Sequence, residues 1–496
     1  MSVNSVNTRT GDVVLTKDDV GLDNIDLIVD DTTKLQLATD LGRVWAHLSP
    51  NQSFLNGWRI YIDNAGVSHI AKDGEDFLAS APVDQFDLHV KTDDEAITAL
   101  NSWPVTHPLD TPPPFVFCNN QAKYGASART GLLGPSIAFT GVRLWSVYCS
   151  TLNTANKPAD EVEGSFIVVQ YSDDYTRGNW SETLYLTAPD EAHSHVRDPQ
   201  LFTLPDGRLL VTAYVGADDD DIRNCGYGFL INNPMAKVGS FEIGRISFLD
   251  YGVPGAPCMA GPQVRYSSDE WAIGLTSPPA PEGQGKHYSY LDFSERDLIT
   301  SHRIADAPYD APQDDVQIQD FDESSAVPIS AARTRYFWRT RGDGADHNIR
   351  TALSNVGDTT FGASDWWDAS DAAGRYISVK SRSHFRRLDS GRIGGCFNRA
   401  STRINLTLVL SEDEGQSFLK SCMIESRVIG GTTPAYPNMI SDGKGNVLIA
   451  YDFGRLKSNS GGTNIIVAVV NENLVHSGTA TENDVTKYVI AQNKAM

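Results

Sequence analysis

From Phe115 onward the chain is a succession of short apolar runs broken by Gly, Pro, Asp and Ser turns, with no long stretch of 3.6-residue periodicity. This pattern predicts an all-β region. Its clearest part is residues 401–455, where residues 404–410 and 447–451 read as strands on either side of a Gly-punctuated connection. Arg403 and Tyr436 stand just ahead of these two runs.

The runs repeat. A small residue or Pro is followed at the second position by an apolar residue, often at the eighth by Gly, and at the tenth by another apolar run. Pro199, Leu201, Gly207 and Leu209 carry the pattern, as do Ser383, Phe385, Gly391 and Ile393, and again Pro437, Met439, Gly445 and Val447. Weaker copies begin at Pro135, Pro262 and about Val316, so the separations are 64, 63, 54, 67 and 54 residues. Units of that size suit four-stranded sheets that bury their faces against one another. The expectation is a mostly β fold, with a six-bladed β-propeller over residues 115–480 and a C-terminal tail at 481–496. A pair of β-sandwiches is the rival architecture.

Upstream, residues 107–114 hold too many prolines for a helix or a central strand and mark a linker. Residues 33–114 read as a shaft or adaptor, with a helix-compatible piece at 33–48, a strand at 58–63 and an acidic, helix-compatible piece at 93–102. Residues 1–32 alternate short apolar runs with Gly and Asp turns and cannot form a core alone.

Composition narrows the function. The formal charge of -22 over 496 residues repels polyanions, which argues against nucleic acid and anionic membrane as partners. No apolar run reaches the length of a membrane-spanning helix, and the start lacks a secretory pattern, so synthesis in the cytosol is expected. Six scattered cysteines form no C-x-x-C pair, and free thiols are favoured over disulfides or a metal site. With no nucleotide-binding Gly loop and no metal-ligand cluster, neither cofactor nor metal is expected. Between Arg333 and Arg403 there are twelve arginines against one lysine, Lys380. That bias suits either planar recognition of carboxylates and phosphates or ion pairs between blades. Trp338 is a candidate platform for stacking on a sugar ring.

Two resemblances sharpen these expectations. Residues 7–31, with T-R-T-G-D-V-V-L-T-K-D-D-V-G-L-D-N-I-D at 8–26, resemble the N-terminal repeat of bacteriophage tail fibre and tail spike proteins. This implies a virion-attachment segment, a homotrimer, tail or baseplate proteins as partners, and a host-surface glycan as receptor. Ser411, Asp413, Gly415, Ser417 and Phe418 match the Asp box of sialidase-like propellers, with variant copies at 172–180 and 354–361. In that family three arginines hold a sugar carboxylate, a tyrosine is the nucleophile with a glutamate base, and an aspartate is the acid.

Carried over by position, the resemblance implies Arg197 as the first arginine and Arg403 as the third. It implies Tyr436 as the nucleophile and one of Asp218, Asp219, Asp220 or Asp221 as the acid, although that loop also reads as a solvated acidic turn. Asp198 stands where the family has an apolar residue. The positions of the glutamate and second arginine hold Arg382 and Asn398, with Arg399 next to the latter. A tyrosine lacking its base is a poor nucleophile, because phenols ordinarily ionise at about pH 10. The expectation is therefore a host-glycan receptor, with a glycan depolymerase as the alternative.

Overall fold

The computed structural model describes strand pairing between Ser5 and Gln492, and side-chain environments within residues 123–151, 164–187, 195–213, 228–244, 325–353 and 381–492, with short breaks inside those ranges. The chain forms consecutive antiparallel sheets, each a meander in sequence order. Blade A is Arg129–Thr140, Arg143–Leu152, Ser165–Ser172 and Ser181–Thr187, with Val116–Cys118 added at its outer edge. Blade B is Ser194–Thr203, Leu209–Ala217, Cys225–Ile231 and Glu242–Ile243. Blade C is Ser324–Ser330, Arg333–Trp338, Arg350–Asn355 and Asp365–Trp366. Blade D is His384–Arg387, Ile393–Asn398, Leu406–Ser411 and Lys420–Glu425. Blade E is Thr433–Ser441, Asn446–Arg455, Asn464–Asn471 and Thr486–Gln492.

Packing is described for these five blades, where the repeat spacing predicts six. Strands between Cys258 and Asp306 pair into a further sheet that touches the inner strands of blades B and C, but its side chains lie outside the described residues.

Other expectations are corrected. The last strand, Thr486–Gln492, lies within the supposed tail, yet it pairs with Asn464–Asn471 and completes blade E. The fourth copy of the repeat starts at Ser324, not near Val316; Pro328 inside this strand forces a register shift and obscures the pattern. Leu35–Thr39 is a strand paired with Ile25–Val29, not part of a helix. Its L-Q-L-A-T sequence has the two-residue alternation of a strand. Trp58–Ile62 is a strand as expected. Most of residues 7–31, and all of 93–102, lie outside the described residues.

The first strand of each blade has no ladder partner on one side, so its free N–H groups need acceptors. A single device supplies them. Leu201 N donates to Ser136 Oγ (3.0 Å), Phe385 N to Ser325 Oγ (3.0 Å), Met439 N to His384 Nδ1 (3.1 Å) and Ile137 N to Asn438 Oδ1 (3.0 Å). In each case a polar side chain on one inner strand receives the N–H of the next blade's inner strand. The receiving positions are equivalent in the repeat. Asn438 and Ile137 join the last blade to the first, and there the ring closes.

Closure has two further parts. Leu132 and Gly462 exchange backbone hydrogen bonds of 3.0 and 2.7 Å. Leu132, Ile137, Tyr148 and Val168 of blade A share one buried cluster with Leu448, Ala450, Ile465 and Val467 of blade E. At about 1.5–3 kcal/mol per buried large side chain, this seam is a major part of the fold's stability.

The Asp box is a structural turn. Asp413 Oδ1 accepts from Ser417 N (2.8 Å) and Ser411 Oγ (2.7 Å), and Oδ2 accepts from Ser417 Oγ (2.6 Å). Burial opposes the charge, but these hydrogen bonds win and hold the carboxyl below its ordinary range. Gly415 adopts φ +79°, and a Cβ there would stand 3.1 Å from the Phe337 ring. Phe418 packs edge-on against Phe337 and Phe385, which are stacked 4.1 Å apart across blades C and D. Asp174, in the 172–180 copy, caps its turn through Thr176 in the same manner. The 354–361 copy lies mostly outside the described residues. Asp413→Ala is expected to cost ~1–2 kcal/mol in urea denaturation and to leave ligand affinity unchanged, since the carboxylate only serves the turn.

Much of the arginine excess also holds blades together. Arg333 pairs with Glu414 (3.2 Å), Arg392 with Glu472 (2.9 Å), and Arg387 donates to the carbonyls of Pro328 (2.7 Å) and Ile329 (2.8 Å). Cys149, Cys396 and Cys422 are buried free thiols.

Candidate functional site

The inner strands of blades A, B and E share an irregularity near their starts. Register jumps between Leu133 and Ser136, between Arg197 and Gln200, and between Ala435 and Asn438. A proline sits in each gap (Pro135, Pro199, Pro437), and with no N–H to give to the ladder it forces a bulge. The residue before it is turned to positive φ: Gly134 +56°, Asp198 +49° and Tyr436 +50°. Glycine takes this freely and aspartate tolerates it, but for tyrosine it is strained by on the order of 1–3 kcal/mol. In blade D the equivalent residue is Arg382, with Ser383 in the proline's place.

These bulges bring remote residues together. Arg382 Nη2 donates to Asp198 Oδ1 in a short ion pair whose side chains are 5% and 7% exposed. The Arg382 guanidinium carbon lies 5.0 Å from the centre of the Tyr436 ring. That of Arg403 is also 5.0 Å away, and Arg403 Nη2 donates to the Tyr436 hydroxyl at 3.4 Å. Tyr436 is buried, so its ring is a shared wall for two cations. Gly134 leaves room beside them: a Cβ there would stand 3.6 Å from Arg382 Nη1. Its own N–H is pinned by the buried Asp452 carboxylate at 3.0 Å.

Of the positions named from sequence, Arg382, Arg403 and Tyr436 meet in this cluster. Asp198 joins them; its place in the cluster is not legible in the sequence, because it depends on a partner 184 positions away. The one available signal was an aspartate at an apolar position of the R-D-P triplet. Arg197 is half-buried in register with Tyr214, one residue before the bulge. Arg399 is turned to Ser421 Oγ (3.5 Å). Asn398 is structural, donating to the carbonyls of Pro434 (3.1 Å) and Ile404 (3.3 Å). Trp338 is fully buried and stacked on Tyr336 at 5.6 Å, which makes it core and corrects its reading as an open sugar platform. Asp218, Asp219, Asp220 and Asp221 lie outside the described residues. Among the described residues the cluster sets two guanidiniums around one tyrosine ring, with the Asp198 carboxylate on Arg382 and the Asp452 carboxylate on the Gly134 N–H behind it. Its chemistry is that of an anion grip. Among the described residues, no three His, Cys, Asp or Glu side chains are grouped to hold a metal.

Strand order and ring closure define a β-propeller, and sialidases are among the solved structures similar to it. The NanB sialidase of Streptococcus pneumoniae has 10% sequence identity and a TM-score of 0.46, with 66% of each chain covered. A leech intramolecular trans-sialidase has 10% identity and a TM-score of 0.47, also with 66% of each chain covered. A Dyadobacter fermentans protein of unknown function has 18% identity and a TM-score of 0.49, with 68% of this chain and 94% of that one covered. No family model and no curated protein matches the sequence.

Proposed function

We propose that the protein recognises an acidic glycan on a bacterial surface, gripping a sugar carboxylate with Arg403 beside Tyr436, while Arg382, held by Asp198, backs the same ring. The observation that carries this reading is the pair of guanidiniums, each 5.0 Å from one tyrosine ring, with that of Arg403 only partly buried. The phage setting, with N-terminal attachment to a virion and trimer formation, rests on the resemblance of residues 7–31 alone. Binding without turnover is favoured over hydrolysis, because the position that the family resemblance gives to a glutamate base holds Arg382, whose charge is engaged by Asp198.

The test is binding of the full chain to acidic and neutral oligosaccharides, with a parallel assay for new reducing ends. Acidic glycans should bind, and Arg403→Ala should weaken them about 10- to 100-fold, the worth of a charge-assisted hydrogen bond. Equal affinity for neutral and acidic glycans would sink the reading. Release of reducing ends would replace binding by hydrolysis.

A further inference from the structure

Beyond the Arg382–Tyr436 cluster, the same inner strands enclose a second space. It has a volume of about 220 Å³ and is lined by residues 137–139 of blade A, 201–203 of blade B, His384 and Arg386 of blade D, and Asn438, Ile440 and Ser441 of blade E. These positions lie two to five residues further along each strand than the cluster, so the space is about 10 Å deeper on the same axis.

Its polar groups are mismatched in one direction. Met439 N–H donates to His384 Nδ1 (3.1 Å), so the neutral ring must carry its proton on Nε2. A doubly protonated ring would set Nδ1–H against Met439 N–H. Burial and the nearby charges of Arg386 and Arg382 hold the ring's pKa well below the ordinary imidazole value. Asn438 is fixed as well, because its Oδ1 accepts from Ile137 N–H (3.0 Å) and its Nδ2 therefore faces His384 Nε2, at 3.3 Å. Two donors thus confront each other. Turning the amide over would only move the mismatch to Ile137.

Arg386 adds more donors to the same space. It gives one N–H, from Nη1, to the Met439 carbonyl (3.1 Å). Burial works against its charge, with Asp389 opposing that effect. Of the lining hydroxyls, Thr203 Oγ1 donates to the Phe139 carbonyl and Ser441 Oγ accepts from Asp389 N (3.1 Å). No carboxylate lines the cavity among the described residues.

We infer that this axial cavity is a binding site for a small inorganic anion, held by His384 Nε2–H, Asn438 Nδ2–H and the Arg386 guanidinium. An acceptor at that point satisfies both confronted donors and supplies the counter-charge that a buried guanidinium needs. A volume several times the roughly 30 Å³ share of one water accommodates a halide or a tetrahedral oxyanion.

The test is calorimetric titration of the full chain with inorganic phosphate and, separately, with sodium bromide, each also in an Arg403→Ala background. One site per chain for at least one probe is expected, unchanged by Arg403→Ala. Phosphate binding that disappears with Arg403→Ala belongs to the outer cluster and overturns the proposal, as does no binding of either probe. Arg386→Gln should weaken the axial site at least 10-fold. Asn438→Asp is the sharper variant: it keeps the acceptor for Ile137 N–H and presents a carboxylate oxygen to His384 Nε2–H. It should fold normally and lose anion binding, and retained binding in this variant also overturns the proposal.

Discussion

Replacing Glu425 with alanine is expected to destabilise the protein by ~3–5 kcal/mol at neutral pH, the range for removing one partner of a buried charge network. Its carboxylate is fully buried between blades D and E and is met from four directions. Arg427 grips it with two side-chain bonds, of 2.8 and 2.6 Å, while the Arg427 N–H donates at 3.0 Å. The Tyr451 hydroxyl donates at 2.9 Å, and Lys487 lies 3.2 Å away. Burial alone would raise the Glu425 pKa, but the bonds from Arg427 overcome it, and the value falls to about 2. Deletion leaves Arg427, Lys487 and Tyr451 around an empty centre. Arg427 is half exposed, so the weight rests on the carboxylate.

The pH dependence follows from the direction of the shift. A carboxylate whose folded pKa lies below its unfolded value stabilises the fold above the unfolded value, here about 4.5, and that contribution fades as pH falls through about 2. Urea denaturation should therefore show a gap between wild type and Glu425→Gln that is full at pH 6 and shrinks by on the order of 3 kcal/mol toward pH 2. A gap constant over that range would mean that the network is not electrostatically linked to folding.

The second large effect is expected at the Arg382–Asp198 pair. Asp198→Ala should cost ~3–5 kcal/mol, because it removes the carboxylate from a guanidinium that is itself almost fully enclosed. Arg382→Ala should cost a comparable amount. The double variant should be less damaged than the sum, by a coupling energy of ~1–3 kcal/mol in a denaturation cycle. Additive losses would show that the two side chains act separately. Asp198→Asn isolates charge from shape, since asparagine also tolerates the +49° φ of this bulge. With the carboxylate gone, the outer cluster gains a full positive charge, and acidic glycans should bind about 10-fold more tightly even as the fold weakens.

Sequence reading reached the architecture through local chemistry. The Asp box at Ser411–Phe418 specifies a turn by residue type alone, and the anchors Pro135, Pro199, Ser383 and Pro437 mark real inner strands. The Ser324 copy was hidden because Pro328 breaks the alternation that defines a strand. The tail was misplaced because Thr486–Gln492 presents a mixed pattern suited to an outer strand, half in solvent. Within the candidate site, the meeting of Arg403 and Tyr436 is foreshadowed by their equivalent places ahead of two strands, whereas the Asp198 ion pair and the fully buried state of Trp338 depend on contacts with distant chain segments. The residue just after each anchor, Ser136, His384 or Asn438, is polar. That recurrence was the visible trace of the links between blades.

The closure between Ile137 and Asn438 also sets a timetable for synthesis. The two residues are 301 positions apart. At ribosomal speeds of about 5–20 residues per second, the first blade emerges about 15–60 s before its last neighbour exists. During that interval Leu132, Ile137 and the other apolar residues of its closing face have nothing to cover them. The nascent chain is thus most open to mispairing and chaperone capture at its oldest blade, and the ribosome must finish the youngest one before that exposure ends.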